Sequence, residues 1–190
     1  MNVYDFDKTI YRHDSNTDFY LYALKKHPSL VRYWPRQLFA LTVMGLHVWP
    51  LHRAKELFMS YVRGIDDLEG LIREFWQTHI DLVNAYYPAL HRADDVVISA
   101  SPMPIVQEGC RLLGIHEVLA TEMDPETGKF LTPNCKGAEK VTAFHNRYGN
   151  VTVDAFYSDS LTDTPMAEIA TEAFFIRKGV PEPWPWKGKE

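Results

Sequence analysis

Residues 2–9 read NVYDFDKT, a short β-prone run from Asn2 to Phe6 that ends in two carboxylates. On extended backbone, side chains at i and i+2 point to one face, so Asp5 and Asp7 can share a single cation or substrate. The same pair also fits a solvated turn at a strand end. The chain that follows narrows the choice. From about Asn16 to Leu90 apolar residues recur at spacings of three and four: Phe19, Tyr22 and Ala23; Leu38, Phe39, Leu41 and Thr42; Leu57, Phe58 and Tyr61; Leu68, Leu71, Ile72 and Phe75. That period predicts helices whose apolar stripes are buried. Pro28, Pro35 and Pro50 punctuate the stretch, Pro88 closes it, and Asp66-Asp67-Leu68-Glu69 marks a helix start with acids where the macrodipole favours them.

After Pro88 the rhythm changes. Val96-Val97-Ile98-Ser99 is a short apolar run stopped by Pro102, which reads as a buried strand, and a helix follows from about Pro104 to Leu113 with Gly114 as its stop. Val118–Thr121, Ala155–Ser158 and Ala173–Ile176 read as further strands, separated by a turn at Pro125–Gly128 and helices over Ala138–Tyr148 and Pro165–Ala170. Strands alternating with helices predict an α/β fold, a Rossmann-like parallel sheet covered on both faces. The predicted division is a core of 1–15 and 91–180, an all-helical insertion of 16–90, and an irregular Pro- and Trp-containing tail of 181–190.

Bulk properties bound the function. The chain of 190 residues has room for one domain, or for a core with an inserted subdomain. Cys110 and Cys135 form no CxxC pattern, so neither a disulfide framework nor a zinc site is indicated. The acidic opening MNVYDFD does not resemble a secretory signal, and no apolar run reaches membrane-spanning length, so a cytoplasmic protein is expected. Residues 11–65 hold eight basic and three acidic residues, whereas 66–190 hold 11 and 20. This asymmetry fits either an anionic partner for the basic segment or uneven scatter of surface charge. No nucleic-acid partner is indicated.

Ligand chemistry in doubly wound sheets lies at the carboxyl ends of the strands. There stand Asp5 and Asp7, then Ser99 in VVISAS (96–101), then Asp159 and Asp163 in YSDSLTD (157–163). Taken alone, Ser99 fits a phosphate-oxygen site or an ordinary helix cap, and the later acids fit magnesium ligation or a first-turn acidic pair. Lys140 opens a predicted helix, where the dipole disfavours a cation. Their joint occurrence, each at the carboxyl end of a predicted core strand or the start of the flanking helix, is the specific signal.

In DFDKT (5–9), the Ser of VVISAS, the lysine of CKGAEKV (135–141) and YSDSLTD, the chain resembles the haloacid dehalogenase-like hydrolases. The helical insertion after the first strand makes it similar to the phosphoserine phosphatase subgroup, with its helical cap at that point. The resemblance implies a phosphatase in which Asp5 is the nucleophile and forms an aspartyl-phosphate, while Asp7 protonates the leaving alcohol and then activates water. It implies Mg2+ held by Asp5, the Asp7 backbone carbonyl and Asp159, with Asp163 completing the site or lying outside it. Ser99 and Lys140 would bind phosphoryl oxygens, Ala100 and Ser101 would lie against substrate, and Thr9 would orient the substrate-binding loop. Lys136 is a second candidate for the lysine, with Lys140 preferred because it places Ala143 and Phe144 on the buried helix face. Asp7 argues against dehalogenation, since only an alcohol leaving group needs a proton.

The substrate is less legible. Asp14 lies nine residues after Asp5, where phosphoserine phosphatases bind an amino group, and also fits a structural acid at the hinge of the insertion. LVRYWPRQLFALTVMGLHVWPL (30–51) is strongly apolar with interspersed arginines. With TDFYLYALKKHP it resembles the bacterial phosphatidylglycerophosphate phosphatases, which implies a lipid phosphate and peripheral contact with an anionic membrane. A buried cap helix or a dimer contact explains the same stretch. The substrate expected is therefore a lipid phosphate or a small soluble monoester, with phosphotransfer to another acceptor as the alternative.

Overall fold

A computed structural model describes residues 1–186. The chain runs β1 (Asn2–Tyr4), then α1 (Ser15–Lys26), α2 (Trp34–Gly45), α3 (Leu51–Met59), α4 (Leu68–His79) and α5 (Tyr87–Leu90). It continues with β2 (Val96–Pro102), α6 (Met103–Leu112), β3 (Glu117–Thr121), α7 (Ala138–Tyr148), β4 (Val153–Ser158), α8 (Thr164–Ile169), β5 (Ala170–Arg177) and β6 (Val180–Pro183). One six-stranded sheet forms in the order β3-β2-β1-β4-β5-β6, parallel except for β6. The α/β expectation holds. Val3, Tyr4, Val97, Ile98 and Phe156 are wholly shielded, which explains why the central strands read as unbroken apolar runs rather than alternations.

The helices between β1 and β2 are not a separate body. Trp76 of α4 wedges against Phe6 and Tyr11 and donates its indole N–H to the Ile105 carbonyl of α6 at 2.7 Å. Gly109 makes that approach feasible, since a Cβ there would lie 2.7 Å from the Trp76 ring. One apolar cluster therefore runs from Tyr4 and Val97 through Phe19, Phe75 and Trp76. Asp67 caps α4 by accepting from the Gly70 N–H at 2.8 Å. Pro88 opens the short α5 instead of closing the helical stretch, because proline fits the first turn, where its missing N–H costs nothing.

Helix α2 departs from the expected face. Leu38 is 62% exposed, and Phe39, Leu41 and Thr42 also point outward, while Gln37, Ala40 and Val43 are buried. The helix packs on α3, with Ala40 and Ala54 each 1% exposed, while the larger side chains of α2 stay outside.

The tail is also corrected. The expectation of an irregular 181–190 fails at its start, since β6 pairs antiparallel with β5 and Trp184 is buried against Phe156 and Phe175. The two strands are joined by Lys178 and Gly179 alone, with φ of 50° and 79°. Two successive positive φ values are the hairpin geometry that matches strand twist. Trp184 donates its N–H to Ala173, which sets the parity and turns the nitrogens of Pro181 and Pro183 away from β5, where no donor is needed. Residues 187–190 lie outside the described part of that expectation.

Candidate active site

The adjacency of β2, β1 and β4 sets their carboxyl ends side by side. Asp5 and Asp7 follow β1, Ser99 to Ser101 close β2, and Ser158 and Asp159 close β4. A cleft of about 340 Å³ opens there, lined by Asp5, Asp7, Lys8, Asp14, Lys55, Ser99, Ala100, Ser101, Lys136, Lys140, Asp159, Ser160 and Asp163. The fold thus gathers the sequence-predicted residues in one place, with the exception of Thr9.

Lys140, in the first turn of α7 and 1% exposed, donates to Asp5 Oδ1 at 2.6 Å and lies 2.8 Å from Asp163 Oδ2. Burial alone would lower its pKa, but the two carboxylates outweigh burial and hold the ammonium above its ordinary range. An unfavourable position on the helix dipole is thereby compensated through space. Lys136 lines the exposed rim of the cleft, and no hydrogen bond joins it to either carboxylate.

Asp163 is occupied on both oxygens. Oδ1 accepts from the Gly137 N–H at 3.0 Å, and Oδ2 accepts from Ser158 Oγ at 2.9 Å and from Lys140. Gly137, at φ 61°, permits the left-handed turn that aims this N–H inward. Such a carboxylate is suited to holding Lys140 rather than to direct cation ligation.

Asp5 and Asp7 have different surroundings. Burial raises the Asp5 carboxyl above its usual range, with Lys140 acting against that shift. Among the described residues no ion pair reaches Asp7, although its charge acts on Lys55. Its Oδ1 accepts from the Ser15 N–H at 2.7 Å and its Oδ2 accepts from the Ser101 hydroxyl. Burial, helped by the charge of Asp14, pushes Asp7 up to about 7 against the pull of those donors. Two neighbouring carboxyls with different environments can take different roles in proton chemistry.

Asp159 is pushed up to about 6 by burial and by the charge of Asp5. Asp5, Asp159 and Asp163 bring three carboxylates together, with Lys140 in contact with two of them and the charges of Lys8 and Lys140 both acting on Asp159. Among the described residues, no three His, Cys, Asp or Glu side chains form a ready cage. Two carboxylates supplemented by backbone oxygen and water nevertheless match the sparse oxygen shell that magnesium takes.

Thr9 is a tie in the loop and does not line the cleft, correcting its place among the substrate-binding candidates. Its Oγ1 accepts from the Asp159 N–H at 3.1 Å, and its carbonyl accepts from Asn84 Nδ2 at 2.6 Å and Tyr86 OH at 3.1 Å. Its hydrogen-bonding capacity is spent on joining three segments. Asp14 lines the cleft and also caps α1 through the Thr17 N–H at 2.8 Å. Ser99 Oγ accepts from the Ser101 N–H at 3.1 Å, shaping the β2 end.

Lys55 is the residue that sequence reasoning missed. It reaches from α3 to Asn134 Oδ1 at 2.9 Å, and burial followed by the charge of Lys136 lowers its pKa. The basic balance of residues 11–65 was the only signal, and nothing in it marks which cation turns inward.

Three solved structures share the architecture, each 16% identical to this chain. A protein of unknown function from Bordetella pertussis Tohama I superposes with a TM-score of 0.72, covering 92% of this chain and 88% of that one. A phosphoserine phosphohydrolase-like protein from Francisella tularensis subsp. tularensis SCHU S4 gives 0.59, with 92% and 87% covered. Cytosolic 5'-nucleotidase IIIB bound to cytidine gives 0.57, with 90% and 69% covered. No curated protein sequence matches the chain. The family model that does match spans residues 3–168, from the first strand through the last of the strand-end acids, and so this chain belongs to the haloacid dehalogenase-like hydrolases.

Proposed function

We propose that this protein is a magnesium-dependent phosphomonoesterase working through an aspartyl-phosphate on Asp5. The observation that carries the reading is the contrast within one cleft: Asp5 is paired with an ammonium, whereas Asp7 forms no ion pair among the described residues and has its pKa near 7. In the first step an Asp5 oxygen bonds to phosphorus, the ester P–O bond breaks, and Asp7 gives its proton to the departing alcohol oxygen. In the second, Asp7 takes a proton from water, whose oxygen bonds to phosphorus and releases phosphate and free Asp5. Lys140 holds its charge beside the phosphoryl oxygens, with Asp163 positioning it, and the Ser99–Ser101 turn binds from the β2 side. Asp5, Asp159 and the Asp7 carbonyl would hold Mg2+, which supplies charge neutralisation to the phosphoryl group.

The helices over residues 16–90 act as the cap, with Lys55 bringing a further cation to the cleft. Wild type should release phosphate from a generic aryl phosphate only with Mg2+, and Asp5→Asn should lower the rate by at least about a thousandfold. An active Asp5→Asn protein excludes the covalent route.

A lipid phosphate is the substrate class favoured by the outer face of α2. Trp34, Leu38, Phe39, Leu46 and Val48 are exposed there, Arg32, Arg36 and Arg53 are exposed nearby, and no Asp or Glu occurs between residues 19 and 55. Exposed apolar side chains with cations only are complementary to an anionic bilayer surface. No described helix is long and apolar enough to cross a membrane. Sedimentation with anionic but not zwitterionic vesicles is the expected result, and absence from both pellets refutes the contact.

A further inference from the structure

Beside the polar cleft lies a second cavity of about 220 Å³, between α2, α3 and the end of β2. The two spaces share Asp14, Lys55, Ala100 and Ser101 and therefore adjoin. Ser101 is the hinge between them, since its hydroxyl donates to Asp7. A group leaving from phosphorus with a proton from Asp7 departs at that junction.

The far walls of the cavity are apolar: Ala40, Met44, Ala54, Phe58, Met59 and Phe130. The charged groups, Asp14 and Lys55, lie where it joins the cleft, and both are engaged. Asp14 Oδ1 caps α1, while Lys55 Nζ is held by Asn134 Oδ1 at 2.9 Å and by the Ala100 carbonyl at 3.5 Å. Asn16, Thr17 and Ser101 complete the polar lining, whereas a chain carried to the far end meets only the apolar side chains. Leu41 stands at the mouth, lining the cavity while 46% exposed, one helical turn from the exposed Leu38. A chain longer than the cavity can thus continue over the apolar outer face of α2.

We infer that this cavity receives the leaving alcohol, and that the enzyme selects phosphate monoesters of apolar alcohols, with kcat/KM rising as the chain that fills the cavity lengthens. The inference rests on the phosphatase reading above. An alkyl or aryl phosphate in solution and the phosphate of a membrane amphiphile present the same chemistry to the cavity.

The test is a kcat/KM series with Mg2+ over methyl, butyl, hexyl and dodecyl phosphate, the last in micelles, together with phosphoserine and p-nitrophenyl phosphate. Each buried methylene should raise kcat/KM by roughly threefold. A rise that stops at hexyl assigns a soluble ester, and one that continues to micellar dodecyl phosphate assigns an amphiphile; both support the inference. Met44→Trp, which fills the cavity, should cut the hexyl-to-methyl ratio about tenfold. Phe130→Ala, which widens the opposite wall, should move the optimum to a bulkier ester, and circular dichroism checks that each variant folds. Phosphate release that is indifferent to chain length, or that prefers phosphoserine to butyl phosphate, overturns the inference and leaves the phosphatase reading standing. No release from any ester, p-nitrophenyl phosphate included, overturns both.

Discussion

Replacing Lys140 with methionine tests the electrostatic arrangement without needing a substrate. The ammonium is 1% exposed, 2.6 Å from Asp5 Oδ1 and 2.8 Å from Asp163 Oδ2. Methionine keeps much of the aliphatic volume, so the change removes charge more than packing. Leaving a buried charge without its partner costs about 3–5 kcal/mol. At about 2–4 °C per kcal/mol for a chain of this size, the melting temperature should fall by roughly 6–20 °C. The pH dependence supplies a second signature. Without Lys140, the largest influence opposing burial is gone, so the Asp5 carboxyl of the folded variant is raised further above its unfolded value. A folded-state pKa above the unfolded one makes stability rise as pH falls through it. The gap between variant and wild type should therefore narrow from pH 7 to pH 5. Thermal denaturation followed by circular dichroism, in chelator at both pH values, measures this. A variant melting within 2 °C of wild type at pH 7, on the order of the 1 kcal/mol of an exposed pair, refutes the buried bridge.

Two further outcomes follow from the same contacts. Asp7, pushed up to about 7, donates only when protonated, so hydrolysis of an alkyl ester should decline as pH rises through about 7. An aryl ester with an acidic leaving group should lose that limb, and an identical profile for the two ester types would exclude Asp7 as the acid. Trp184→Ala should lower stability by about 3–5 kcal/mol in chemical denaturation, because the ring is 3% exposed against Phe156 and Phe175. A loss under 1 kcal/mol would mean that the β6 segment contributes little packing.

Much was legible in residue order alone. The apolar runs at Val96–Ile98 and Ala155–Tyr157 announced strands covered on both faces, because such strands cannot alternate. Asp5, Ser99 and Asp159 were legible as a set, since local signals ended each strand just before them. Helical period also located α1, α3 and α4, but it misjudged α2. A helix carrying Ala40 and Val43 on one side and Leu38, Phe39 and Leu41 on the other has two apolar faces, and period does not say which one finds a partner. Packing on α3 decided it, burying Ala40 and Val43. Similarly, a PEPWPW tail suggests disorder until Lys178 and Gly179 turn it back onto β5.

The sequence by itself determined the α/β class, the helical insertion after the first strand, and the carboxylates, serine and lysine that stand at strand ends. These rest on interactions between neighbours in the chain: side-chain period, caps and turn residues. Tertiary structure alone decided that Lys140 bridges Asp5 and Asp163, that Thr9 is consumed in joining loops, and that Lys55 reaches the cleft. It also decided that an apolar cavity adjoins Asp7 through Ser101. Those contacts join residues from 23 to 150 positions apart. Hydrogen bonds and ion pairs act over a few ångströms, so their partners are known only once the sheet order has placed the strand ends together.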